Sequence, residues 1–140
     1  MKILYRAKAV SEGGRDGRVT VENSPIGFEM ALPPELGGKK PVGLNPEQLF
    51  AAGYSACFGS ALQHVFRLKR LSVPQPEVHV TVGIGKNDAG GFALAADVMG
   101  VFQGVDQATA DELMAQAHQV CPYSNATRGN VDVQVTARVA

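Results

Sequence analysis

The sequence predicts a mixed α+β fold, in which antiparallel sheets surround one long central helix within a single domain over residues 1–140. Segments that alternate apolar and polar residues come in groups, instead of alternating one by one with helices, which is typical of α+β proteins. Between two such groups, residues 48–66 contain no formally charged side chain and carry apolar residues at steps of three and four. This middle segment is therefore the predicted central helix.

The first group contains three predicted strands. Residues 3–10 and 19–21 alternate, and the glycine-rich residues 13–17 between them predict a hairpin turn. A third short strand is predicted over residues 27–32, followed by a loop over residues 35–44 that is rich in Gly, Lys and Pro. Regular structure is therefore expected to stop before the central helix begins.

The central helix has a clear start signal. Asn45 is suited to cap it, Pro46 suits the first helical position, and Glu47 places an acid in the first turn. The helix is expected to end near residues 67–70, and its serine, glutamine and histidine content favours a buried helix over a membrane span. Its predicted apolar stripe comprises Phe50, Tyr54, Cys57, Ala61, Val65 and Leu68. Small residues that would let a neighbour approach closely are Gly53, Ala56 and Ser60.

A second hairpin, a helix and a final strand complete the prediction. Asp106 can cap the second helix, which Pro122 is expected to terminate. Polar and glycine residues at 87–91 predict the hairpin turn. The predicted ranges are residues 78–85 and 92–102 for the hairpin strands, 106–120 for the helix and 131–136 for the last strand.

Composition excludes several classes of function. The 13 basic and 13 acidic residues cancel, so neither nucleic acid nor a membrane surface is an expected partner. Charges within the first residues interrupt any signal-peptide core, so a cytosolic protein is expected. Two cysteines are too few for a disulfide scaffold or a four-thiolate zinc site, and the three histidines are not spaced as ligands.

The two cysteines leave alternatives open. Cys57 lies in the middle of the central helix, where a small inert apolar residue would serve as well. Cys121 precedes a turn-forming stretch that begins at Pro122, so its thiol is expected to be partly exposed and able to move. The two could form a reversible disulfide only if their Cα atoms come within about 7 Å.

A reactive thiol needs a cation or a helix N-terminus to lower its pKa, and the middle of a helix provides neither. Arg15 is a candidate because the surrounding glycines allow close approach, and Glu47 could hold its guanidinium through a bidentate pair. The alternative is that Arg15 is a solvated turn residue and Glu47 only complements the helix dipole.

The spacing of Glu47 and Cys57 raises a geometric problem. Ten residues of unbroken helix span about 15 Å, so these two side chains cannot touch within one straight helix. Either the helix breaks near Gly53, or the two groups meet across a subunit boundary.

Three blocks of the sequence, residues 13–17, 45–58 and 120–130, closely resemble the organic hydroperoxide resistance branch of the OsmC superfamily. The resemblance spans nearly the whole chain. It implies an intertwined homodimer with its sites near the subunit interface, which would resolve the spacing problem. It also implies a thiol peroxidase that reduces alkyl and fatty-acid hydroperoxides to alcohols, with no metal or flavin cofactor.

The resemblance also assigns roles to individual residues. Cys57 matches the peroxidatic cysteine, and Cys121 matches the resolving cysteine that forms a disulfide with it. Arg15 and Glu47 match the catalytic pair, in which the arginine stabilises the thiolate and the glutamate positions the arginine. Dihydrolipoyl groups of lipoylated proteins would be the reductant. An apolar mouth is expected from Leu44, Phe50, Tyr54, Phe58 and Tyr123.

Two alternatives remain at this point. The chain could belong to the OsmC branch and use a broader range of peroxides, although the residues that follow Cys121 argue against this. It could instead be a redox-sensing or hydrophobe-binding dimer in which the thiols are structural.

Overall fold

Two three-stranded sheets and three α-helices make up the computed structural model of the chain, which describes residues 1–140. The chain divides into two compact units, Met1–Leu49 and Phe50–Ala140, with the boundary inside helix α1 (Pro46–Lys69). The predicted α+β class is confirmed. Organisation as a single domain stays a prediction.

The first unit contains an antiparallel sheet of β1 (Ala9–Glu12), β2 (Arg18–Val21) and β3 (Gly27–Glu29). The predicted hairpin between β1 and β2 is confirmed. The first predicted strand is too long, because residues 3–8 lie outside the sheet. Strand β2, which pairs with β1, ends at Val21. Asn23 then has a φ of 61° and turns the chain away.

The third predicted strand is also shorter than expected. Beyond β3, Met30 forms only an isolated bridge with Leu44 and is 2% exposed. The prolines at 33 and 34 follow, and residues 34–36 form a 3₁₀ turn. The loop predicted over residues 35–44 is therefore pinned at its end by a backbone bridge.

Helix α1 begins with reciprocal capping. The Asn45 side chain accepts a hydrogen bond from the Gln48 amide at 2.8 Å, and the Gln48 side chain accepts one from the Asn45 amide at 2.9 Å. The helix is continuous over Pro46–Lys69, so the alternative of a break near Gly53 is wrong. None of the helices in the structure is both long and apolar enough to cross a bilayer.

The buried face of α1 differs in part from the predicted stripe. Leu68 was expected on it but is 70% exposed, because it lies in the last turn of the helix, outside the core cluster. The buried residues of the helix are Tyr54, Phe58, Ala61, Leu62, Val65 and Phe66.

The second unit contains a sheet of β4 (Glu77–Lys86), β5 (Phe92–Phe102) and β6 (Asp132–Val139). The β4–β5 hairpin is antiparallel as predicted, but β6 pairs parallel to β5, so this sheet is mixed rather than antiparallel. The reason is the long connection through α2 (Gln107–Val120) and a short helix. This connection returns the chain towards the end of the sheet where β5 begins, so β6 runs in the same direction as β5.

Helix α2 confirms its predicted start and end. Asp106 caps it by accepting a hydrogen bond from the Thr109 amide at 2.8 Å, and the helix ends at Val120. An unpredicted helix, α3 (Pro122–Thr127), follows at once. Side chains of α1 from Tyr54 onward, β5 and α2 form one hydrophobic core, against which the inward face of β6 packs.

Candidate active site

The two cysteines of the second unit lie in contact. Their Sγ atoms are 3.5 Å apart, and both thiols are free. Cys57 is half-buried in α1, whereas Cys121 is fully buried between the end of α2 and the start of α3. The expectation that Cys121 is partly exposed in a turn is wrong, because α3 begins directly after it and folds it into the core.

The sulfur separation suits bond formation between the two thiols. A disulfide bond is about 2.05 Å long, so the sulfurs need to approach by about 1.5 Å. The structure therefore holds the two thiols in contact, with their sulfurs unbonded.

The surroundings of Cys57 act on its thiol in opposite directions. Burial is the largest influence and raises the pKa of the Cys57 thiol, and the neighbouring Cys121 raises it further. The backbone N–H of Tyr123 donates towards the sulfur and lowers that pKa. The net pKa of the Cys57 thiol lies above the ordinary value for cysteine, so these surroundings keep it largely protonated at neutral pH.

Sequence reasoning missed the N–H of Tyr123 as a contributor to the site. It identified the residue only as part of an apolar mouth. The available signal was Pro122, which suits the first position of a helix and so marks a helix start directly after Cys121.

A group of buried hydroxyls joins the helices α1 and α3. The Tyr54 hydroxyl is 2.9 Å from Ser124 Oγ and 3.3 Å from Thr127 Oγ1. Sequence reasoning assigned no role to Ser124 or Thr127. The signal was Tyr54 itself, since a tyrosine on a buried helix face needs a hydrogen-bond partner.

Aromatic rings of α1 and α3 pack together beside the cysteines. The ring centroid of Tyr123 is 5.7 Å from that of Tyr54 and 6.1 Å from that of Phe50. A Cβ atom at Gly53 would lie 2.9 Å from the Tyr123 hydroxyl, so this ring occupies the space that the glycine leaves.

The predicted apolar mouth has members in very different positions. Tyr54 and Phe58 are fully buried and offer no surface to a ligand in this form. Tyr123 is 40% exposed, and Phe50 is half-buried at the edge of the core. The mouth stays a prediction, and its two buried members lie beneath the surface rather than on it.

In the first unit, Arg15 and Glu47 form a bidentate ion pair. Arg15 Nη1 and Nη2 donate to the two carboxylate oxygens of Glu47 at 2.8 and 2.7 Å. The hydrogen bond from Arg15 holds the pKa of the Glu47 carboxyl below its usual value, and the same bond raises the pKa of the guanidinium. The glutamate side chain is 12% exposed and that of the arginine 35%, so the pair keeps one side open to solvent.

The hairpin that carries Arg15 depends on its glycines. Gly13 and Gly14 have φ angles of 80° and 57°, a region that other residues rarely adopt. At Gly17, a Cβ atom would lie 1.7 Å from the carbonyl oxygen of Glu12. The glycines therefore determine the turn that presents Arg15.

Leu44 is fixed by backbone bonds in the first unit. Its amide donates to the Glu29 carbonyl at 2.8 Å, and its carbonyl accepts from the Ala31 amide at 2.9 Å. The residue is half-buried. No group of three or more His, Cys, Asp or Glu side chains is placed to hold a metal ion.

Comparisons with known proteins agree with the resemblance noted above. The family model of OsmC-like proteins matches residues 37–136. An organic hydroperoxide resistance protein-like 2 of Staphylococcus epidermidis is 46% identical, with 94% of each chain covered. The organic hydroperoxide resistance protein of Xanthomonas axonopodis pv. citri is 45% identical, over 96% of this chain and 95% of the other.

A solved structure agrees as well. The crystal structure of an organic hydroperoxide resistance protein from Elizabethkingia anophelis superposes with a TM-score of 0.95, at 45% identity and with 100% of both chains covered. The similarity extends over the full length in sequence and in fold. The chain therefore belongs to the organic hydroperoxide resistance branch of the OsmC-like family.

Proposed function

We propose that this protein is a thiol-dependent peroxidase that reduces organic hydroperoxides to alcohols. The observation that carries the proposal is the contact of a half-buried thiol, Cys57, with a second thiol, Cys121, at 3.5 Å. The names of the relatives support the organic hydroperoxide as substrate. Their identities of 45–46% also favour this branch over the broader OsmC branch.

The proposed first step is nucleophilic. The Cys57 thiolate attacks the distal oxygen of R–O–O–H, the O–O bond breaks, and the alkoxide takes up a proton and leaves as R–OH. The sulfur is oxidised to a sulfenic acid, Cys57–SOH. Cys121 then condenses with it, forming the S–S bond and releasing water. In total, one peroxide and two thiols give one alcohol, one water and one disulfide.

The first step needs a thiolate, and burial in the second unit works against it. In the proposal, Arg15 supplies the positive charge that stabilises the thiolate and the leaving oxygen, and Glu47 positions it. A guanidinium held by two hydrogen bonds to one carboxylate still has further N–H donors free. Because α1 is continuous, the proposal has the Arg15–Glu47 pair meet Cys57 across the interface of a homodimer.

Exposed apolar and small residues support the homodimer. Ile3, Leu4 and Tyr5 at the N-terminus are 44%, 90% and 83% exposed. On α1, Ala52, Ala56 and Ser60 recur every four residues on an exposed side. A second copy of the chain would cover these surfaces, and light scattering coupled to size-exclusion chromatography measures whether it does.

Turnover requires reduction of the disulfide. We propose dihydrolipoyl groups of lipoylated proteins as the reductant, with no bound metal or flavin, in the cytosol, where thiols are kept reduced. In the proposal, an apolar mouth to which Leu44, Phe50, Tyr54, Phe58 and Tyr123 contribute would favour alkyl hydroperoxides over hydrogen peroxide.

One observation favours a second candidate function. The raised pKa of the Cys57 thiol suits an inert or slowly reacting cysteine, as in a redox sensor or a hydrophobe-binding dimer. Turnover distinguishes the two candidates, because a sensor or binder consumes no more than one equivalent of peroxide.

The deciding experiment is stopped-flow oxidation of the reduced protein by cumene hydroperoxide and by hydrogen peroxide. Mass spectrometry of the quenched samples then locates the products. The peroxidase predicts fast oxidation selective for the organic peroxide, a Cys57–Cys121 disulfide, and multiple turnovers with dihydrolipoamide. Slow and unselective oxidation without that disulfide would put the second candidate first.

A further inference from the structure

The hydroxyls of Tyr54, Ser124 and Thr127 form a closed hydrogen-bonded group, the hydroxyl cluster. Their residues are 0%, 0% and 4% exposed. Thr127 Oγ1 donates to the Ser124 carbonyl at 3.2 Å, so its oxygen is free to accept from Tyr54. Tyr54 can then accept from the Ser124 hydroxyl, which is 2.9 Å away. In this arrangement each of the three protons has an acceptor.

The hydroxyl cluster connects α1 to α3. Helix α3 has six residues, which is too short for a helix to be stable by its own backbone bonds. Both α3 members of the cluster bond to one side chain of α1, Tyr54. A phenylalanine at position 54 would fill the same volume, so the hydroxyl adds direction to the contact rather than area.

The position of Cys121 depends on α3. Cys121 is the residue that caps α3, and its carbonyl accepts a hydrogen bond from the Asn125 amide at 2.9 Å. The next residue but one, Tyr123, packs its ring against Tyr54 and Phe50 of α1. A shift of α3 along α1 therefore changes the distance between the two sulfurs.

We propose that Tyr54 is a positioning residue that, through the hydroxyl cluster, holds Cys121 within reach of Cys57 for the resolving step. The proposal rests on the proposed function. In that step the Cys121 sulfur attacks the sulfur of Cys57–SOH, the S–S bond forms as the S–O bond breaks, and the leaving hydroxide takes the Cys121 thiol proton to become water. A second peroxide molecule competes by oxidising Cys57–SOH to the sulfinic acid. Tight positioning of Cys121 makes condensation faster than this competing reaction.

Tyr54→Phe tests the proposal by separating the two steps. Reduced protein is mixed with cumene hydroperoxide, quenched with acid at intervals and analysed by mass spectrometry for sulfenic acid, disulfide and sulfinic acid at Cys57. We expect disulfide formation to slow by about tenfold or more relative to the first oxidation measured in the same samples. The sulfinic acid fraction rises with peroxide concentration. Ser55→Ala is the matched control, because it removes a hydroxyl from the neighbouring position of α1 that bonds only to Ala52.

Two substitutions at Thr127 keep the test valid if Tyr54→Phe folds poorly. Thr127→Val removes the hydroxyl and keeps the shape, and we expect slower disulfide formation. Thr127→Ser keeps the hydroxyl, and we expect a rate within about twofold of the wild type. Equal disulfide rates in wild type, Tyr54→Phe and Thr127→Val would overturn the positioning role alone. No disulfide in the wild type would overturn the proposed function and the positioning role together.

Discussion

The ion pair of the first unit and the thiol pair of the second unit are organised by different forces. Arg15 and Glu47 are joined by two charge-assisted hydrogen bonds, and each raises the stability of the other's charge. Cys57 and Cys121 are brought together by packing, and their surroundings oppose charge on Cys57. The ion pair is stable in its charged form, whereas burial favours the neutral form of the Cys57 thiol.

The difference shows what each pair lacks. The two thiols are in contact, but the surroundings of Cys57 disfavour a thiolate. The ion pair carries a fixed positive group but no nucleophile. In the proposed mechanism the two deficits are complementary, so substitutions in the two pairs are expected to have different signatures.

The largest expected effect is at the nucleophile. Cys57→Ser should lower peroxide consumption by about a thousandfold or more, because a serine hydroxyl at this position is not ionised and cannot form a sulfenic acid. Cumene hydroperoxide consumption in the presence of dihydrolipoamide measures this. Cys121→Ser is the comparison, with one equivalent consumed and then over-oxidation of Cys57. If Cys57→Ser kept the wild-type rate, the thiol pair would have no catalytic role.

A smaller effect is expected at the cation. Arg15→Ala should slow the first oxidation by about a hundredfold, since the thiolate and the leaving oxygen lose a charged donor. The loss of the Arg15 charge should also change how the oxidation rate depends on pH. Without the cation the pKa of the Cys57 thiol rises, so the oxidation rate keeps increasing at pH values where the wild type has reached its plateau. Stopped-flow rates across pH measure this.

Arg15→Lys separates the effect of the Arg15 charge from that of its bidentate hydrogen bonds. Lysine keeps the charge but cannot form the bidentate pair with Glu47, so we expect an intermediate loss of about tenfold. If the oxidation rate depended on pH in the same way in the wild type, Arg15→Ala and Arg15→Lys, Arg15 would have no effect on the Cys57 thiol.

Local signals in the sequence predicted much of the fold. Asn45 and Asp106 identify two helix starts, because capping is a property of a few neighbouring residues. The glycines at 13–17 identify the first hairpin for the same reason. The parallel pairing of β6 was not predictable in this way, since the direction of a strand depends on the return path of a distant connection. The alternation within β6 is the same for both directions.

The candidate site was predictable in its chemistry and less so in its burial. The pairing of Arg15 with Glu47 follows from a charge complementarity that a sequence displays. The burial of Cys121 depends on α3, whose six residues are too few to show a helical period. Ser124 and Thr127 were missed because their partner, Tyr54, lies about seventy positions earlier in the chain.

The carboxylate of the ion pair is expected to affect stability in a pH-dependent way. The pKa of Glu47 is lowered in the folded protein, mainly by the hydrogen bond from Arg15. The stability that ionised Glu47 adds is therefore fully present above its unfolded pKa of about 4.5. This stability is lost as the pH falls through the lower pKa of the folded protein. Glu47→Gln should lower the free energy of unfolding by about 1 kcal/mol near neutral pH and by much less in acid. Urea unfolding at several pH values measures both, and a pH-independent difference would argue against the ion pair as the cause.

The smallest expected effect tests packing beside the thiols. Gly53→Ala should stabilise an interior helix position by about 1 kcal/mol, but only where the added methyl group has room. In the wild type this methyl would lie 2.9 Å from the Tyr123 hydroxyl, so the end of the ring must shift to make room for it. In a Tyr123→Ala background the space is empty, and the full gain should appear.

Urea unfolding of the four proteins of this double-mutant cycle gives the coupling energy between Gly53 and Tyr123. A gain that is the same in both backgrounds would show that Tyr123 is not held by the space over Gly53. A larger gain without the ring would show that Tyr123 packs closely over Gly53, an interaction made by shape, unlike the charge-assisted pair of Arg15 and Glu47.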